Sequence, residues 1–217
     1  PSGIIQISSI LAVFPVLLIL AFSISFIFLP LEFTLFLIGY FLLTLLYSLY
    51  LKQKVLLDVI ILASLYTLRV VAGTVVIGEV ISFWLLTFSI FFFLSLAITK
   101  RFTELMSFKM SNTKVPKGRG YYIGDMALLS SLGTASGFIS VLVLALFINS
   151  NEFSQKYSSP DLLWLLMPVM IYWISRFWII AHRGEMHDDP IVFALKDRVS
   201  RYSCFMIIGI VLGAIWI

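Results

Sequence analysis

Apolar residues fill seven long runs along the chain, and polar residues gather in the gaps between them. The runs cover residues 7–29, 31–50, 55–78, 82–99, 126–149, 162–182 and 202–217. Each is near the roughly 20 residues that a helix needs to cross a bilayer. Alternating period-2 segments are absent, which argues against a β-barrel. Helices are then the spanning structure that satisfies every backbone polar group within lipid. The pattern predicts an all-α integral membrane protein with seven transmembrane helices in one domain. Pro30 divides the first two, because proline cannot continue a helix without losing a hydrogen bond. Lys52-Gln53-Lys54 divide the second from the third, and a tight turn at Gly78-Glu79 joins the third to the fourth.

Composition supports this. The chain is 61% hydrophobic and 12% charged, with a mean hydropathy of +1.07, against about 25% charge in soluble domains. The single cysteine, Cys204, sits in an apolar run and reads as a buried, inert thiol. The chain opens at Pro1 with neither an initiator methionine nor a leader, and is read as a fragment of a longer protein.

The distribution of charge matters more than its net value of +4. Basic residues occupy alternate gaps: Lys52 and Lys54; Lys100, Arg101, Lys109, Lys114, Lys117 and Arg119; then Arg183, Lys196, Arg198 and Arg201. By the positive-inside rule these loops face the cytoplasm, with Pro1 inside and Ile217 outside. Tyr47 and Tyr50 then fall near the inner interface, and Trp84 and Trp164 near the outer one. Gly133–Gly137 and Gly209–Gly213 are small-xxx-small patterns that let helices approach closely. Pro15 and Pro168 lie inside spans as candidate kinks. The two halves show no visible repeat, which counts against an inverted-repeat transporter.

Ionisable groups inside a span are costly and point to function. Asp58 and Arg69 are about three turns apart on nearly one face of the third span, too far to pair. Arg69 needs either a carboxylate from a neighbouring helix or a bound anion. Arg176 has two readings, a snorkelling structural cation and a phosphate ligand. Lys100, Arg101 and Glu104 follow the fourth span. Lys100 and Glu104 are i,i+4 neighbours. The trio reads either as a positive-inside anchor with a helix salt bridge or as a phosphate site with a divalent metal, since Mg²⁺ takes one or two protein carboxylates. The stretch Lys114–Tyr122 is basic and punctuated by glycine, either a lid over phosphates or a solvated loop. His187-Asp188-Asp189 resembles a metal cluster, but Asp189-Pro190 is also a helix cap followed by a first-turn proline. That predicts a short helix over Ile191–Ser200 with Ile191, Leu195 and Val199 on one face. Glu185, Asp188, Lys196, Asp197 and Arg198 stay candidates for the site or its support. No nucleophile–base triad, P-loop, HExxH or nucleic-acid motif is present.

Several long strings, Pro1-Ser2-Gly3, Leu51–Gly73, Thr99–Leu105, Arg119–Tyr122 and Arg183–Ser200, make the chain resemble the UbiA superfamily of intramembrane prenyltransferases. The likeness is greatest to its decaprenyl-phosphate phosphoribosyltransferase-like branch. The resemblance implies a nine-helix bundle of which these spans are helices three to nine, with the first aspartate-rich, Mg²⁺-binding motif upstream of Pro1. The second such motif is replaced here by Lys100-Arg101-x-x-Glu104. The resemblance further implies a polyprenyl lipid and a diphosphate-bearing donor as partners. Lys100, Arg101, Arg69, Lys117, Arg119 and Arg176 would bind phosphate, and Glu104 and Asp58 would be catalytic, with Glu104 a metal ligand. Tyr121, Asp188, Lys196 and Arg198 would support them. The expected activity is Mg²⁺-dependent transfer of a phosphoribosyl-like group to polyprenyl phosphate at the cytoplasmic face. The alternatives are prenyl transfer from a diphosphate to a small or aromatic acceptor, and a carrier or flippase. The outer loops are poor in charge, which disfavours a carrier.

Overall fold

Apolar runs of this length satisfy their backbone hydrogen bonds in lipid as helices, and among the described residues each run forms a helix. The computed structural model describes residues 7–112, 120–150, 157–186 and 189–216, with side chains from Ala12 onward. The helices are α1 (Ile7–Phe28), α2 (Leu31–Leu49), α3 (Leu57–Val76), α4 (Phe83–Met110), α5 (Met126–Ile148), α6 (Leu166–Arg183), α7 (Pro190–Lys196) and α8 (Arg198–Trp216). Short 3-10 turns precede α3, α5 and α6. No strand occurs among the described residues. Six segments, beginning at Leu31, Leu57, Phe83, Ile123, Pro160 and Arg198, are long and apolar enough to cross a membrane. α1 adds a further apolar helix of 22 residues. The architecture is that of a multi-pass helical bundle.

α4 is the hub, packing against α3, α5, α6 and α7. At 28 residues it is about 42 Å long at 1.5 Å per residue, more than the roughly 30 Å of a hydrocarbon core. The apolar run ending at Thr99 underestimates it. Ile98, Phe102 and Leu105, spaced i, i+4, i+7, are all buried, so the core-facing stripe carries the helix past its first charges.

α5 lies against α4 and α6 through its small residues. A Cβ on Gly133 would meet Trp178 Cζ2 at 2.2 Å, and one on Gly137 would meet Ile174 Cγ2 at 2.8 Å. Ser95 reinforces the seam, donating to the Gly133 carbonyl at 2.7 Å and accepting from Trp178 Nε1 at 3.2 Å. The second small-residue pattern behaves otherwise: no atom lies within 4 Å of a Cβ at Gly209, and only Leu162 reaches Gly213, at 4.0 Å. That face of α8 makes no close approach among the described residues.

The short helix after Asp189 forms, but ends at Lys196 rather than running to Ser200. Asp189 accepts from the Ile191 N–H at 3.1 Å as the expected cap. Asp197 is extended and caps α8 instead, accepting from the Ser200 N–H at 2.8 Å. Two consecutive caps divide what periodicity joins. Cys204 is exposed on α8 rather than buried.

Candidate functional site

The charged end of α4 carries two polar clusters. The first is closed. Asp58, in the first turn of α3, is wholly buried, as is Arg101 at 2% exposure. Arg101 Nε donates to Asp58 Oδ2 at 2.5 Å. Its Nη1 donates to Glu104 Oε1 and Oε2 at 2.9 and 2.8 Å, and its Nη2 to the Tyr47 hydroxyl at 3.0 Å. A buried guanidinium is tolerated because its fork is met by carboxylates in this way. Glu104 thus pairs with Arg101 at i,i+3.

Tyr121 completes the cluster from the far side of the α4–α5 connection. Its hydroxyl donates to Asp58 Oδ1 at 2.5 Å and accepts from the Leu56 N–H at 2.9 Å. Leu56 sits at φ 64, with the Leu57 N–H bonded to the Val55 carbonyl at 2.8 Å. That is the strained, positive-φ form of the γ-turn, pinned directly before Asp58. The preceding Gly120, at φ +71, brings its backbone so near Val55 that a Cβ would lie 2.9 Å from Val55 Cγ2. Burial pushes the Tyr121 phenol well above its ordinary value, and the bond to Asp58 adds to this, outweighing the Leu56 N–H. Tyr121 therefore stays protonated and able to donate.

The second cluster is open. Lys100 pairs with Asp189, the cap of α7, and the two side chains are 33% and 31% exposed. They stand on the wall of a cavity of about 550 Å³ bounded by the end of α4, the chain after α6 and the start of α7. Lys100, Thr103, Glu104 and Ser107 line it from α4 at i, i+3, i+4, i+7, with Asp189 opposite. Met106, Met110 and Met186 form an apolar flank, deformable because thioether side chains are unbranched and polarisable. Gly184, in the left-handed conformation at φ +72, ends α6, and a Cβ there would strike Met110 Sδ at 2.3 Å.

The other sequence candidates are spread out. Arg69 meets no carboxylate among the described residues. Its guanidinium donates to the Tyr40 hydroxyl and lies 5.1 and 5.2 Å from the Tyr40 and Tyr66 ring centres. Arg176 forms a two-point pair with Asp197 at 2.6 and 3.1 Å, and Trp173 Nε1 donates to Ser200 Oγ at 3.0 Å. These bonds tie α6 to the α7–α8 junction. Burial alone would raise the Asp197 carboxyl, but the bonds from Arg176 and Ser200 overrule it and hold it below the ordinary carboxylate value. Lys196 and Arg198 are exposed at that junction. Lys117, Arg119 and Asp188 lie outside the described residues. Tyr47, Tyr40, Tyr66 and the methionine flank carried no motif that would have marked them. Their helical spacing looks like that of any apolar face.

Among the described residues, no three His, Cys, Asp or Glu side chains come together as a metal cage. Glu104 and Asp189 nonetheless share the open cavity. Mg²⁺ commonly takes one or two carboxylates and completes its shell with water and substrate phosphate. Two carboxylates on the wall of one cavity match that requirement.

Three curated proteins resemble the chain. One is y4nM of Sinorhizobium fredii, described as uncharacterized, 40% identical over 151 residues, covering 69% of this chain and 29% of its own length. The nodulation protein NoeC of Azorhizobium caulinodans is 32% identical over 161 residues, covering 74% and 52%. The decaprenyl-phosphate phosphoribosyltransferase of Mycolicibacterium smegmatis is 26% identical over 170 residues, covering 76% and 53%. No protein-family model matches the chain. The chain thus spans about half, or less, of the length of the relatives it matches.

Proposed function

We propose that the chain is part of a UbiA-type membrane transferase that moves a phosphoribosyl-like group from a diphosphate donor to a polyprenyl phosphate, with Mg²⁺. The observation that carries this reading is the open cavity itself. One end of an otherwise apolar bundle presents Lys100, Glu104 and Asp189 around space for a polar molecule of moderate size. Similarity to a decaprenyl-phosphate phosphoribosyltransferase supports the same chemistry.

In this reading Lys100 holds the donor diphosphate. Its bridge to Asp189 is partly exposed, so an incoming phosphate displaces it at little cost. Arg101 does not clamp the donor, because Asp58, Glu104 and Tyr47 already take its hydrogen bonds. It fixes the orientation of Glu104 at the cavity wall. Glu104 and Asp189 are the residues that would hold Mg²⁺, which would supply neutralisation of charge on the departing group. A lone pair on the lipid phosphate forms a new C–O bond at the sugar's anomeric carbon. The bond from that carbon to diphosphate breaks, and diphosphate leaves with the electron pair. Charge stabilisation at the leaving group is the main contribution asked of the protein.

The test uses membranes containing the intact natural protein, labelled phosphoribosyl diphosphate and polyprenyl phosphate. Label is expected in the organic-extractable lipid, lost with EDTA and in Lys100→Ala. Transfer from a labelled prenyl diphosphate instead would replace the proposal with prenyl transfer, and absence of both would remove the transferase reading.

A further inference from the structure

Among the described residues, every arginine deep in the bundle but one is answered by a carboxylate. Arg101 has Asp58 and Glu104, and Arg176 has Asp197. Arg69 has none among the described residues, although it stands eleven residues beyond Asp58 on α3. That is about 16 Å along the helix, roughly half the thickness of a hydrocarbon core. It is exposed there. A charge at that depth is expensive and requires a partner.

The surroundings specify the partner. Tyr40 and Tyr66 hold the guanidinium between their rings, and the Tyr40 hydroxyl accepts from Nε and Nη2. Nη1 makes no hydrogen bond among the described residues. Tyr40 also lines a groove of about 590 Å³ along α2, with Glu32, Leu35, Phe36, Gly39, Leu43 and Leu68. No atom lies within 4 Å of a Cβ at Gly39, so the floor of the groove is open. The groove is apolar apart from Tyr40 and, near the start of α2, Glu32, and it reaches Arg69 through the Tyr40 hydroxyl. That arrangement fits an amphiphile with one long apolar chain and an anionic head. Packing of another helix would call for small residues over successive turns, whereas Gly39 is flanked by Leu35, Phe36 and Leu43.

We propose that Arg69, with Tyr40 and Tyr66, is the binding site for the phosphate of a single-chain polyprenyl phosphate whose chain lies in the α2 groove. It is separate from the Lys100 cavity. The identity of the lipid rests on the transferase reading above, and the site deepens it. Arg69 lies about 16 Å along α3 from Asp58, and Asp58 is bonded to Arg101, the neighbour of Lys100. The site therefore holds the lipid apart from the donor cavity, and the lipid phosphate advances from it to a donor held at Lys100.

The experiment measures Kd for a labelled long-chain polyprenyl phosphate on the intact protein in detergent. The unphosphorylated polyprenol and phosphatidylglycerol are run alongside it. Arg69→Gln should weaken binding of the phosphorylated lipid about ten-fold, the scale of a lost charged hydrogen bond. Arg69→Lys should keep part of it, and binding of the polyprenol should not respond to either change. Gly39→Leu fills the groove and should weaken both single-chain lipids. Lys100→Ala should leave lipid binding within about two-fold, as expected of separate sites. The proposal is overturned by equal binding of phosphatidylglycerol, by indifference to Arg69→Gln or by indifference to Gly39→Leu. Size-exclusion elution and the retained polyprenol binding identify a variant that has merely unfolded. Lipid binding that follows Arg69 without any labelled transfer removes the transferase reading alone. Transfer without Arg69-dependent binding removes this site alone.

Discussion

Lys100 and Arg101 are consecutive on α4, and a helix turns consecutive side chains about 100° apart. That rotation sends Arg101 into the protein, where its hydrogen bonds go to Asp58, Glu104 and Tyr47, and Lys100 onto the wall of a cavity opposite Asp189. The buried cation stabilises the fold because removing it would strand a carboxylate in a medium that cannot solvate it. The exposed one contributes little to stability and is free to exchange partners. Adjacent, like-charged residues thus divide structure from chemistry.

Substitutions test that division. Arg101→Gln leaves Asp58 uncompensated and should destabilise the protein by about 3–5 kcal/mol, read as lost thermal stability in detergent. Asp58→Asn combined with it should recover part of the loss. Gly133→Ala drives a methyl into the Trp178 ring and should cost about 1–3 kcal/mol. A wild-type melting temperature in that variant would mean that the α4–α5–α6 seam is looser than described. Tyr121→Phe removes a donor to a buried carboxylate and should cost about 1–3 kcal/mol. Lys100→Ala should shift stability by less than about 1 kcal/mol while abolishing donor use. The reverse pattern would reassign Lys100 to the fold.

Acidification offers the mildest test. Asp197 titrates below its ordinary value of 3.8, so its contribution to stability is complete above that value. It is lost as pH falls through the folded-state value. The melting temperature of the wild type should therefore drop more steeply below about pH 4 than that of Asp197→Asn.

Much of the fold was legible because apolar run length nearly determines a membrane helix. The exceptions have physical causes. Lys100 marks where charge begins, but Phe102 and Leu105 keep α4 helical to Met110. Asp197 looks like one more charge in a short helix until its bonds to the Ser200 N–H and to Arg176 make it a cap. At the site, the types Lys100, Arg101 and Glu104 were readable, but their division of labour was not. Partners such as Asp189, Tyr47 and Tyr121 lie tens of residues away, and no local spacing encodes a contact across the bundle. Arg69 could be recognised as needing a counterpart, whereas the Tyr40–Tyr66 clamp has no signature distinct from ordinary aromatic packing.

The methionine flank of the open cavity has a cost that concerns oxidants. Met106, Met110 and Met186 stand beside Lys100 and Glu104, and conversion of a thioether to its sulfoxide turns a pliant apolar surface into a polar, chiral one. Met110 is 66% exposed, so peroxide meets it first. Oxidative stress would then alter the shape and polarity of the pocket without touching any charged residue in it, and reduction of the sulfoxide would restore both.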